Sequence, residues 1–89
     1  MTGKELFEKQ MEVLQTMLLT KETKNIPQKE WRGFVHITIN CMKDAFEHGM
    51  SGSGTPDLIA KMETANNPLA TAIASAMRWS YKQGTMARG

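Results

Sequence analysis

Residues 66–84 read NNPLATAIASAMRWSYKQG, and the fold turns on this stretch. Asn66 or Asn67 supplies a cap, and Pro68 fits the first helical position, where a missing N–H costs nothing and the fixed φ already suits the helix. Gly84 suits the left-handed residue that follows a last turn, with Arg78 and Lys82 near the end that favours cations. Between these signals Leu69, Ile73, Ala76, Met77 and Ser80 recur at helical spacing. The many Ala and Ser residues leave room for another backbone to come close. The pattern predicts an inner helix over 68–84.

The same stretch concentrates charge. From Thr64 onward there is no Asp or Glu, while Arg78, Lys82 and Arg88 remain, so three positive charges sit in a chain whose total is +2. Arg78 and Lys82 stand one turn apart, with Tyr81 on the same side and Trp79 adjacent. Two cations beside two amphipathic rings suit an anionic ligand that carries rings.

Working outward, Thr2 and Glu5 fit a capping box, which starts a helix over 3–20. Phe7, Met11, Leu14 and Leu18 form its stripe, and Leu6, Val13 and Met17 broaden it. Such a face serves a core or a dimer interface. Its polar side is balanced in charge, unlike that of a membrane-surface helix. The polar run 21–25 leads into Ile26-Pro27, which disfavours further helix. A second helix fits 28–48, with Trp31, Phe34, Val35, Met42, Ala45 and Phe46 in register and Gly49 to end it. Within it, 34–39 (FVHITI) is rich in β-formers and alternates as a strand would. The flanks and the lack of turn signals favour helix. MSGSGT at 50–55 is a flexible joint able to reverse the chain. Thr55-Pro56-Asp57 then opens a short helix over 56–63, and 85–89 reads as a loose tail. The expected fold is all-α: one domain over 1–89, an antiparallel helical hairpin with an added N-terminal amphipathic helix, oligomerised through its apolar stripes.

Composition narrows the function classes. A chain of 89 residues holds one core, and eight methionines suit an adaptable interface as well as a rigid interior. Cys41 is the single cysteine, which excludes an internal disulfide and points to a reducing, cytoplasmic setting. The opening residues lack the continuous apolar run of a signal peptide, and no run approaches the length needed to span a bilayer. His36, Cys41 and His48 lack zinc-site spacing, so no metal is expected. Ser51 to Gly54 lacks the Lys-Ser/Thr of a phosphate-binding loop, and His48 with Asp44 is an ordinary helix pair. Neither an enzyme nor a cofactor is expected. A net charge of +2 argues against binding duplex nucleic acid through the surface as a whole.

Two segments carry a resemblance. Thr71 to Lys82, TAIASAMRWSYK, resembles the second helix of the phage anti-CBASS cyclic-oligonucleotide sponge family, which runs T-x-L-x-x-A-x-M-W-A-x-R. Ile39 to Lys43, INCMK, is similar to the I-N-x-I-K segment of that family's first helix. The resemblance implies a helical-hairpin protomer, a hexamer, and sequestration of cyclic di- and trinucleotides without cleavage, which deprives a bacterial anti-phage defence of its activator. Asn40 and Lys43 match the pair on helix one, Thr71 and Trp79 match landmarks on helix two, and Lys82 replaces an Arg. The family's stacking Tyr falls at Gln28, leaving Trp31 as the nearest aromatic, and a family Arg falls at Thr64. The ligand-binding set is then Trp31, Arg32, Asn40, Lys43, Thr71, Arg78, Tyr81 and Lys82, with the cyclic oligonucleotide and further copies of the chain as partners. A second reading is a small phage-type helical inhibitor that docks an amphipathic face on a host protein. A third, carried only by the two helix-borne cations, is nucleic-acid binding through the basic helix.

Overall fold

The computed structural model describes residues 2–21 and 24–88. They form four helices: α1 (Gly3–Thr20), α2 (Gln28–Ser51), α3 (Asp57–Thr64) and α4 (Pro68–Arg88). The all-α expectation holds, and 34–39 is helical throughout. The 21–25 connection lies partly outside the described residues.

Local chemistry sets most of the ends. The Thr2 hydroxyl accepts the Glu5 N–H at 3.1 Å and caps α1. At the start of α4 the cap is Asn67, whose side-chain oxygen accepts the Leu69 N–H at 2.8 Å, while Asn66 adopts φ 53°. Asn is among the few residues other than Gly that tolerate this left-handed conformation.

Two glycines expected to end helices do not. α2 continues past Gly49 to Ser51, and α4 continues past Gly84 to Arg88, so most of the expected tail is helical. The reason is a helix crossing. A Cβ on Gly84 would collide with the Phe46 carbonyl oxygen and lie 3.1 Å from the Gly49 Cα; one on Gly49 would meet the Tyr81 carbonyl oxygen. Each glycine is there because the other backbone needs its space. The residue that does end α2 is Gly52, at φ 77°, whose N–H reaches back to the carbonyls of His48 and Gly49. The Arg88 guanidinium lies against it, at the helix end where a cation is favoured.

Antiparallel pairing occurs twice. α1 and α2 form a hairpin: Phe7 stacks on Phe46 with ring centroids 4.0 Å apart, the Gln15 amide lies 3.2 Å from a His36 ring nitrogen, and Leu18 meets Trp31. α3 and α4 form the other, pinned by Glu63 and Arg78. With α3 as the return leg, α2 and α4 lie side by side in the same direction, Gly52 against Arg88 and Gly49 against Gly84.

The core follows from this order. One cluster joins Phe7 and Met11 of α1 to Trp31, Val35, Ile39, Met42 and Phe46 of α2. A second joins Ala45 of α2, Ile59 of α3, and Ile73, Ala74 and Met77 of α4. The result is a slab, 41 × 32 × 13 Å between Cα atoms. None of its helices is long and apolar enough to cross a membrane, among the described residues.

Candidate functional site: an apolar groove beside α1

The eight residues singled out in the sequence do not meet in one place. Trp31 belongs to the core: it is buried, stacks on Phe34 at 5.4 Å, and donates its indole N–H to the Leu18 carbonyl at 2.5 Å. It ties the end of α1 to the start of α2. Thr71 is exposed and spends its hydroxyl on the Asn67 carbonyl.

Arg78, Tyr81 and Lys82 also part company. Arg78 forks onto Glu63, Nε to one carboxylate oxygen at 2.9 Å and a terminal nitrogen to the other at 2.5 Å. The hydrogen bonds and the guanidinium charge hold the Glu63 carboxyl below its ordinary pKa, and the same bonds with the carboxylate charge push Arg78 up. Both side chains are solvated, so the pair neutralises Arg78 while adding little stability. Tyr81 is half-buried and donates its hydroxyl to the Ser53 carbonyl at 2.8 Å, fixing the joint between α2 and α3. Lys82 is exposed. The acid-free helix therefore keeps fewer free cations than its sequence promises, because α3 folds back and brings an acid to it.

Arg32, Asn40 and Lys43 do share a surface. All three are exposed, and their spacing of eight and three residues sets them along one strip on the outer side of α2. Neither Arg32 nor Lys43 has an ion pair among the described residues. Lys43 borders a shallow hollow with Lys4, Phe7, Glu8, Phe46 and Glu47, so acids stand close to it.

A broad concave feature lies elsewhere. Between α1 and the α2/α4 pair runs an open groove of about 620 Å3. Met11, Met42 and Ala76 line it together with Val13, Leu14 and Met17 of α1 and Trp79 of α4, and Lys9 and Gln10 complete it. Beyond Gln10 a hollow of about 210 Å3 continues past Leu6, Phe7, Gln83 and Met86. The groove exists because α1 has more apolar surface than its hairpin partner covers. Phe7 and Met11 point inward and are buried, whereas Leu6, Val13 and Met17 lie to one side and remain 50–63% exposed. Trp79 is 43% exposed, its ring centroid 6.2 Å from that of Phe7.

This is the chemistry of a docking surface: broad, apolar, lined with adaptable methionines, and walled by an aromatic ring that a partner can cover. The residues that sequence reasoning missed are Val13, Met17 and Trp79 as a unit. The breadth of the α1 stripe was the available signal, since a helix packed on one neighbour needs only a narrow one. Cys41, half-buried with Asp44 nearby, has its thiol pKa pushed up by burial and then by that carboxylate, which keeps it protonated and a poor nucleophile. No family model, curated protein or solved structure matches the chain, so the groove and the outer strip of α2 carry the functional reading by themselves.

Proposed function

We propose that the chain is a non-enzymatic binding module that works by docking its groove on a helix of another polypeptide, as a small helical inhibitor of a host protein would. The observation that carries this reading is the exposure of Leu6, Val13, Met17, Trp79 and Met86, 43–64% each, around an apolar groove and the hollow that adjoins it at Gln10. A helix laid there with residues at i, i+3, i+4 and i+7 would bury the methionines and the indole together. The test is site-directed photo-crosslinking in cells, with the reactive side chain at Val13 or, separately, at Arg32. Polypeptide adducts from Val13 that disappear when Met17→Glu is added are the expected result. Adducts from Arg32 alone would overturn it.

A second reading keeps the cyclic di- or trinucleotide as ligand, sequestered intact to antagonise an anti-phage defence. Its support is the strip Arg32, Asn40, Lys43, which offers two cations and an amide to phosphates and base edges. Trp31, Arg78 and Tyr81 contribute least to it, since each is already engaged within the chain. Calorimetry with cyclic di- and trinucleotides decides: heat of binding that Arg32→Ala and Lys43→Ala abolish supports this reading, and no heat with any of them removes it.

A further inference from the structure

The exposed side of α4 is as ordered as its buried side. Leu69, Ala72, Ala76, Trp79, Gln83 and Met86 recur at alternating steps of three and four, the spacing of a coiled-coil seam. On α1, Leu6, Gln10, Val13 and Met17 do the same. No charge falls on either row, and Lys9 is the one charged residue that lines the groove beside them. The large apolar members remain well exposed, from 43% at Trp79 to 64% at Met86, while Ala76 is half-buried.

The surface area gives the size of what would cover them. A compact monomer of 10.0 kDa exposes about 5,200 Å2 by the scaling of folded proteins. This chain exposes 6046 Å2. The excess of about 800 Å2 matches the share that one partner contributes to a standard specific interface.

We infer that the groove is occupied by a second copy of the chain, the α4 row of each protomer lying in the α1/α4 trough of the other about a two-fold axis. The inference rests on the groove being a polypeptide-docking surface, as proposed above. A two-fold contact is self-complementary, and Gln10 and Gln83, the polar members of the two rows, line one hollow, from which their amides offer donors and acceptors to the same groups of a second copy. Because a second copy and a foreign helix compete for one trough, a host target would meet the monomer.

The test is the solution mass of the full chain by light scattering across a dilution series, for the wild type, Met17→Glu and Met86→Glu. Met17 and Met86 are 63% and 64% exposed, so both variants keep the fold, and helicity by circular dichroism checks that they do. The expected result is a mass twice 10.0 kDa for the wild type, and dissociation of each variant at concentrations about 100-fold higher or more, the effect of a charge placed in an apolar seam. A wild type monomeric throughout overturns the inference; it leaves the docking reading standing if Val13 adducts with another protein persist. A dimer that neither variant weakens overturns the inference and moves self-association to another face.

Discussion

The seam between α2 and α4 and the flank of α1 are built from opposite materials. The seam is rich in small buried residues, Gly49, Gly84, Ala45, Ala74 and Ser80, and at Gly49 and Gly84 the backbones themselves come into contact. Along α1 they are large, and Leu6, Val13 and Met17 stay exposed to water. A seam of small residues leaves nothing for a partner to bind, since its surface is consumed in the fold. A flank of large, half-covered residues keeps part of its apolar surface available. The difference separates what holds this chain together from what it offers to another.

Changes at the seam have the largest expected effect. Gly84→Val places a side chain against the Phe46 carbonyl and the Gly49 Cα, both backbone atoms that move only if the helices separate. A loss of about 3 kcal/mol or more is expected in denaturant unfolding, enough to unfold a chain of this size. An equally stable Gly84→Val would show that the helices do not cross at this point.

The α1 attachment comes next. Phe7→Ala removes the ring stacked on Phe46 and touching Trp79, at an expected cost of about 3 kcal/mol. Here the loss is local. Hydrogen exchange should show α1 amides unprotected while those around Gly49 and Gly84 stay slow, whereas uniform loss of protection would mean that the two regions fold as one unit.

Ser80 sharpens the contrast from within the seam. Its hydroxyl is fully buried and has no hydrogen-bond partner among the described residues. Ser80→Ala removes an uncompensated polar group and should stabilise by about 1 kcal/mol in the same unfolding measurement.

Acid gives the smallest effect. The folded pKa of Glu63 lies below its ordinary 4.5, so its contribution is present above that value and lost as pH falls through the lower folded pKa. Arg78→Ala should flatten that part of the acid limb while leaving stability at neutral pH nearly unchanged.

Much of the fold was legible because caps and apolar spacing are local. Thr2 caps α1 through the Glu5 N–H and Asn67 caps α4 ahead of Pro68, as read, and the stripes of α1 and α2 place Phe7, Met11, Trp31, Val35, Met42 and Phe46 in the core. The glycines were not legible. A glycine that ends a helix and one that lets two helices touch look the same in sequence, and only the α2/α4 contact assigns Gly49 and Gly84 to the second role and leaves Gly52 in the first. The candidate site is divided for a related reason. Arg78 and Trp79 are neighbours in sequence, yet they leave α4 in different directions, one to Glu63 on α3 and the other to Phe7 on α1. What reads as a single patch of cations and rings is divided by the tertiary fold.

The most direct test of the groove uses the chain's two tryptophans, one buried at 8% and one half-exposed at 43%. With Trp31→Phe, Trp79 remains as the single reporter, and its quenching by iodide is followed as protein concentration rises, with and without Met17→Glu. The account predicts strong quenching in dilute solution that falls as the groove is covered, and no such protection when Met17 is Glu. Quenching that stays the same at every concentration, and is indifferent to Met17, would contradict it.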